Sequence, residues 1–173
     1  MIKTILSTPR IVFALITLLC FGALAAAFIA EGILNLEPCR LCIYQRYPFA
    51  LGLVFGIIGM VLHKKARTTV ALFLLSAINF ALNSAIAFYH TGVEQHWWKS
   101  SVEGCAIIHL DAPKNQSILE NIMSAPLGDC SKIPWSDPIF GLSMANYNIP
   151  FCMGLCILCL ISTVFVMKSP KDS

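Results

Sequence analysis

Four long apolar stretches, separated by two short polar links and one long polar loop, form the hydropathy pattern of this chain. The stretches cover residues 11–30, 43–62, 69–89 and 149–167, and the long loop covers 90–148. Twenty helical residues rise ~30 Å, which is the thickness of the hydrocarbon core of a bilayer. The pattern therefore predicts an all-α integral membrane protein, a bundle of four transmembrane helices.

Composition indicates one membrane domain over residues 1–173 rather than a soluble protein. Hydrophobic residues make up 57% of the chain and charged residues only 12%, whereas a soluble domain has about 25% charged residues. The net charge of +3 is small and scattered, so we expect no nucleic-acid partner. A glycine-rich phosphate loop, an HExxH motif and a GxSxG motif are all absent from the sequence.

The first apolar stretch has two interpretations. Lys3 and Arg10 precede it, and the alanines at 25–27 resemble a cleavage site, so it could be a signal peptide. It is longer than the roughly 7–15 residues of a signal core, which favours a retained helix. Both interpretations place the loop that follows outside the cytoplasm.

Charge predicts the orientation of the four helices. The two ends and the link at 63–68 carry seven Lys or Arg and one acid, whereas the other two loops carry eight acids and five basic residues. Because basic residues favour the cytoplasmic side, we expect both termini in the cytoplasm. Both cysteine-bearing loops then lie outside.

The eight cysteines fall into two groups of different environment. Four lie inside apolar stretches and are expected to pack as small hydrophobic side chains: Cys20, Cys152, Cys156 and Cys159. The last three have helical spacing and could form a redox face or a metal site, but no His or acid in the same stretch supports a metal. The other four lie in the external loops, where the environment is oxidising: Cys39, Cys42, Cys105 and Cys130.

The Cys39–Cys42 pair is the strongest candidate for chemistry. Two cysteines three apart can close a small disulfide ring or share a metal. A ring this small constrains little chain, so exchange chemistry is favoured over a structural role. Cys42 is expected at the N-terminus of the second helix with Arg46 one turn later, and both the helix end and the guanidinium favour a thiolate. His90, at the top of the third stretch, lies at the same level.

The long loop offers fewer signals. Cys105 and Cys130 could be a structural staple that closes a flexible loop. Residues 115–125 could form an amphipathic helix on the membrane surface, or a mobile loop with a few chance hydrophobic residues.

Taken together, these residues resemble a known family, the bacterial disulfide bond formation protein B (DsbB) family, over nearly the whole chain. The resemblance rests most on PCRLCIYQR at 38–46, with YHT at 89–91, GDC at 128–130 and WSDPIFGL at 135–142. The sequence departs from the family in Gln45, where an acid is frequent, and in Tyr147, where Trp is usual.

The resemblance implies a quinone-dependent protein dithiol oxidoreductase of the bacterial inner membrane. Such a protein re-oxidises a periplasmic DsbA-like thiol oxidant and passes the electrons to ubiquinone or menaquinone in the lipid. By resemblance, a Cys105–Cys130 disulfide takes the attack of the partner and a Cys39–Cys42 disulfide passes electrons on. Cys42 would meet the quinone, Arg46 would polarise a quinone oxygen, and His90 would lie nearby; no metal is expected.

Two other classes are considered. A non-enzymatic four-span membrane organiser of the tetraspanin type would use loop disulfides structurally, but its Cys-Cys-Gly signature is absent here. An enzyme of the vitamin K epoxide reductase type also couples thiols to quinone, but its CxxC belongs to a late helix. Here the CxxC opens the second helix.

Overall fold

Four long α-helices account for most of the residues that the structure, a computed structural model, describes: 8–102 and 129–168. They are α1 (Pro9–Gly32), α2 (Arg40–Leu62), α3 (Ala66–Glu94) and α4 (Met144–Lys168). Each is long and apolar enough to cross a membrane. Within these two ranges the only β-pairing is an isolated bridge. The prediction of an all-α protein with four membrane-spanning helices is therefore confirmed.

The helices extend beyond the apolar stretches that predicted them. α3 continues past residue 89 to Glu94, and α4 begins at Met144 rather than near 149. The segment 90–148 thus contains helix at both of its ends. Hydropathy falls at these positions because they carry polar residues such as His90 and Asn148. The backbone stays helical because both side chains find a partner inside the bundle, the amide of Gln45.

Packing joins the helices in sequence order. α1 packs mainly against α2, α2 also contacts α3, and α3 packs most extensively against α4. The core between them is apolar, and Phe13 of α1 stacks on Phe73 of α3 with ring centroids 4.2 Å apart. A Cβ at Gly56 would overlap Thr17, and one at Gly59 would overlap the ring of Phe13. Small residues therefore let α1 and α2 approach closely, as is typical of membrane bundles.

Polar side chains of α3 bind the neighbouring helices at their prolines. Asn79 Nδ2 donates to the carbonyl of Pro48 in α2 at 2.8 Å. Ser84 Oγ donates to the carbonyl of Ile149, which precedes Pro150 in α4, at 3.2 Å. Hydrogen bonds between helices stabilise one register in an apolar environment. α3 is thus the central helix that aligns α2 with α4.

The four cysteines predicted to pack inside the bundle are buried there as free thiols. Cys152 differs from the others because it also makes two side-chain hydrogen bonds. Its sulfur accepts from Asn83 Nδ2 at 3.3 Å, and its thiol donates to Asn148 Oδ1 at 3.1 Å.

Candidate redox site

The N-terminus of α2 brings the two sulfurs of the CxxC together. Cys39 is the N-cap, with extended φ and ψ of −80° and 165°, and its Sγ accepts from the amide of Cys42 at 3.2 Å. The two Sγ atoms are 2.9 Å apart and both thiols are free. The structure therefore describes the dithiol form, and the Cys39–Cys42 disulfide stays a prediction about the oxidised form.

The two thiols are not equivalent. Cys39 donates its thiol hydrogen to Cys42 Sγ, and this bond together with burial raises the pKa of Cys39. The proton therefore stays on Cys39, and Cys42 is the sulfur placed to carry negative charge. The sequence indicated the same residue for another reason, the helix N-terminus. In the structure the free amide at that terminus points at Cys39 instead.

His90 is buried inside α3, one turn before its end, and does not begin a loop as the sequence suggested. Its Nε2 lies 3.4 Å from Cys39 Sγ. Its Nδ1 lies 2.9 Å from Gln45 Nε2, and Gln45 Oε1 accepts from Asn148 Nδ2 at 2.6 Å. The Gln45 side chain of α2 therefore joins the imidazole of α3 to Asn148 of α4.

Glu94 is a buried carboxylate beside the same imidazole. Its Oε1 lies 3.6 Å from His90 Nε2, and its Oε2 accepts from the hydroxyl of Ser143 at 2.5 Å. Sequence reasoning did not single out Glu94. The signal was available, because residues 90 and 94 are one helical turn apart, but α3 was predicted to end at 89.

Arg46 and Cys42 line one cavity, but the charge of Arg46 is already paired. Its Nη2 lies 2.7 Å from Glu31 Oε1 at the end of α1, and its guanidinium carbon lies 5.4 Å from the centre of the Phe28 ring. The sequence did not predict either partner. The guanidinium is therefore held in place at the cavity wall by α1 before any ligand binds.

The cavity has a volume of about 610 Å³ and lies beside the dithiol. Aliphatic and aromatic side chains form much of its wall: Ala23, Leu24, Ala26, Ala27, Ala30, Phe49 and Phe151. Cys42, Arg46, His90, Glu94 and Tyr147 also contribute to its lining. An apolar wall with one cationic group and one nucleophilic sulfur fits a flat apolar cofactor that carries polar oxygens.

The donor set also resembles part of a zinc site. The sulfurs of Cys39 and Cys42 and a ring nitrogen of His90 all lie within 4.8 Å of one another. However, Gln45 Oε1 is engaged by Asn148, so the Gln45 amide nitrogen faces Nδ1 as a donor. This arrangement puts the proton of a neutral ring on Nε2, the nitrogen nearest the sulfurs. In this arrangement His90 donates a hydrogen bond to sulfur and does not offer a lone pair to a metal.

Cys130 is buried against the inner pair. It is disulfide-bonded, and it shares a packed cluster with Cys39, Leu41 and Val93. Cys105 and the predicted helix at 115–125 lie outside the described residues. The pairing of Cys105 with Cys130 therefore stays a prediction.

Comparison with known proteins agrees with this geometry. A family model described as "Disulfide bond formation protein DsbB" matches residues 9–162. A disulfide bond formation protein B from Xylella fastidiosa is 32% identical over 147 residues, which are 83% of each chain. One from Xanthomonas axonopodis pv. citri is 30% identical over 163 residues, which are 92% of this chain and 93% of that protein. The chain, with its four membrane-spanning helices and buried dithiol, therefore belongs to the disulfide bond formation protein B (DsbB) family.

Proposed function

We propose that this protein re-oxidises a periplasmic, thioredoxin-fold thiol oxidant of the DsbA type and passes the electrons to membrane quinone, sustaining disulfide formation in exported proteins. The observation that carries the proposal is the position of the dithiol. Cys42 faces an apolar cavity between helices long enough to span a membrane, and that cavity also contains the guanidinium of Arg46. A thiol used only for structure needs neither neighbour.

The cavity suits a quinone, which is a flat apolar ring with two carbonyl oxygens. Phe49 and Phe151 would contact the ring, and Arg46 would hold one oxygen through a charged hydrogen bond. When bound, a quinone supplies an acceptor for two electrons and two protons. The Cys39–Cys42 dithiol can supply these electrons and protons, because closing one disulfide from two thiols releases two of each.

The outer cysteines would receive the partner. A thiolate of the reduced partner attacks Cys105, the predicted Cys105–Cys130 disulfide opens, and a mixed disulfide forms. The second partner thiol then displaces Cys105, so the partner leaves oxidised and the outer pair is left reduced. Each step exchanges one disulfide for another, so electrons balance without a further reactant.

Transfer from the outer pair to the inner pair is supported by the packing of Cys130. Cys130 and Cys39 belong to one buried cluster, which favours exchange between the outer and the inner pair. A Cys130 thiolate would attack Cys39 in the oxidised inner pair, and Cys42 would leave. Cys42 is the better leaving group, since Cys39 holds the shared proton in the dithiol form. Cys105 would then attack Cys130 and release Cys39, which closes the outer disulfide again and leaves the inner pair as a dithiol.

The charge pattern supports one orientation of the four helices in the membrane. Basic residues gather at both ends and in the α2–α3 link, so we place both termini in the cytoplasm and the redox loops in the periplasm of the bacterial inner membrane. Partner oxidation then occurs where exported proteins fold.

The test is electron transfer between two defined reactants. Purified protein is mixed with a reduced DsbA-type oxidant and a water-soluble ubiquinone or menaquinone analogue, and quinone absorbance is followed. Cys39→Ser and Cys42→Ser should each abolish turnover, whereas Cys156→Ser, a buried thiol on α4, should leave it within a few-fold. Partner oxidation without quinone reduction would reject the proposed acceptor, and activity in both inner-pair variants would reject the proposed site.

A further inference from the structure

A continuous chain of hydrogen bonds leads from the middle of the bundle to the sulfur of Cys39. We propose that Gln45, held by Asn148, is a positioning residue. Its amide fixes His90 as a hydrogen-bond donor to Cys39, and this eases loss of the Cys39 proton when the inner disulfide closes. The inference rests on the proposed function for its role in turnover, but the geometry itself concerns only residues of this chain.

The first step is the orientation of the Gln45 amide. Gln45 is buried, and its Oε1 accepts from Asn148 Nδ2 at 2.6 Å. Its Nε2 therefore faces His90 Nδ1 at 2.9 Å. An amide nitrogen only donates, so Nδ1 must accept. The proton of the neutral imidazole is then on Nε2, 3.4 Å from Cys39 Sγ.

The second step is what orients Asn148. Its Oδ1 accepts from the thiol of Cys152, and the sulfur of Cys152 accepts from Asn83 Nδ2. Every donor from Asn83 onward therefore points the same way along the chain. Asn83 Oδ1 is buried and, among the described residues, has no hydrogen-bond partner, so the direction of the chain rests on the bonds from Cys152 to Asn148 and from Asn148 to Gln45. In an apolar interior, hydrogen bonds that follow one another in a chain strengthen each other.

The third step is the effect on Cys39. Its sulfur receives two N–H donors, one from His90 and one from the Cys42 amide. Closing the disulfide requires Cys39 to lose its proton and bond to Cys42, while two electrons and two protons pass to the quinone acceptor, which becomes quinol. Donors at Cys39 stabilise the negative charge that develops as the proton leaves.

The charged and titratable groups around His90 are few. From α2 it faces Gln45, Cys42, whose sulfur lies within 4.8 Å of a ring nitrogen, and, at the N-cap, Cys39. From its own helix it faces Glu94, at 3.6 Å. The Glu94 carboxylate accepts from Ser143 and is the other acceptor near Nε2. Both neighbours of Nε2 are therefore acceptors, in agreement with a proton on that nitrogen.

Replacing Gln45 with Glu keeps the size of the side chain but reverses the direction of its hydrogen bond to His90. In Gln45→Glu both oxygens accept, so Nδ1 must carry the proton and a neutral His90 then presents a lone pair to Cys39. Asn148→Asp removes the donor that orients Gln45 and leaves the amide free to turn. Asn146→Asp is the matched control, because Asn146 is a half-buried amide in the first turn of the same helix as Asn148 and stands outside the chain.

The primary readout is the protonation state of His90 by ¹⁵N NMR of histidine-labelled protein in detergent, with His90→Gln to assign its signals. Wild type and Asn146→Asp should show an unprotonated Nδ1 and a protonated Nε2. Gln45→Glu should show a protonated Nδ1 and an unprotonated Nε2. A protonated Nδ1 in wild type, or wild-type signals in Gln45→Glu, would overturn the inference.

The second readout is alkylation of Cys39 against pH in a Cys42→Ser background, with helix content checked by circular dichroism. Loss of a hydrogen bond to a charged sulfur corresponds to roughly a tenfold change. Gln45→Glu and Asn148→Asp should therefore slow the reaction at neutral pH by about that factor. An unchanged rate in both folded variants would leave Gln45 a packing residue.

These readouts are independent of quinone. If wild type shows the expected tautomer but never reduces quinone, the proposed function fails and the positioning of His90 stands. If quinone is reduced but wild-type His90 carries its proton on Nδ1, the proposed function stands and the positioning of His90 fails.

Discussion

Replacing Arg46 separates two roles that the structure gives to one guanidinium. Arg46 pairs with Glu31 at 2.7 Å and lies over the ring of Phe28, so it joins α2 to α1. It also lines the cavity that contains Cys42. We expect Arg46→Gln to weaken quinone binding much more than it weakens the fold.

The magnitudes differ because the two interactions differ in environment. A hydrogen bond from the guanidinium to a quinone oxygen inside the cavity is worth ~1.5–3 kcal/mol, so the apparent quinone affinity should fall roughly tenfold or more. The side chains of Arg46 and Glu31 remain 20% and 25% exposed. Their ion pair is therefore partly screened by solvent, and its contribution to stability is on the order of 1 kcal/mol. Arg46→Lys keeps the charge but loses the planar fork, so it should fall between wild type and Arg46→Gln.

The assay is quinone-titrated turnover beside single-turnover oxidation of the partner. The Arg46 variants should raise the quinone concentration needed for half-maximal turnover and leave exchange at the outer pair nearly unchanged. Arg40→Gln is the matched control, because Arg40 is an exposed arginine on the first turn of the same helix. Glu31→Gln should weaken quinone binding less than Arg46→Gln does, since it removes the ion pair that positions the guanidinium but keeps the guanidinium itself.

Two results would refute this reasoning. An unchanged quinone dependence in both Arg46 variants would leave Arg46 as an anchor between α1 and α2. Equal losses in Glu31→Gln and Arg46→Gln would mean that the ion pair shapes the cavity and that the guanidinium does not touch the quinone.

Three further predictions concern the thiols and the packing of α2. Cys130→Ser should trap the partner as a mixed disulfide at Cys105, detectable on non-reducing gels; equal trapping at Cys39 or Cys42 would show that the outer pair is misassigned. Because the pKa of Cys39 is raised, Cys42 should be alkylated first at neutral pH and Cys39 only as pH rises, which peptide mass spectrometry can follow. Equal rates at neutral pH would contradict the shared proton. Gly59→Ala should destabilise the bundle by ~1–3 kcal/mol, because a Cβ there meets the Phe13 ring; an unchanged Tm would show that α1 can move aside.

Hydropathy was sufficient for the helices because each span contains a long apolar run. It failed at the C-terminal end of α3 and at the N-terminal end of α4, where the local hydropathy is typical of a loop. Residues 90–94 and 144–148 include polar residues, yet they are helical. Their polarity is satisfied by partners far away in sequence, and a hydropathy window registers only neighbours along the chain.

The candidate site also has one part that the sequence predicts and another part that it does not. Cys42 and Arg46 are one turn apart on one helix, so their shared cavity follows from helical periodicity. The bond between Gln45 and Asn148 joins α2 to α4 across 103 positions. The pairing of Arg46 with Glu31 depends on how α1 packs beside α2. Contacts of this kind depend on tertiary packing, which no periodicity in a single sequence specifies.

The polar groups around His90 have a structural consequence that the apolar core does not. Lipid is as apolar as the side chains of the bundle, so hydrophobicity alone specifies the register of membrane helices weakly. A buried amide left without a partner costs ~1–3 kcal/mol. Gln45, His90 and Asn148 satisfy one another only when α2, α3 and α4 align as observed. The same contacts that orient the imidazole toward Cys39 therefore also select the helix register that forms the cavity, so a variant that breaks them should loosen both together.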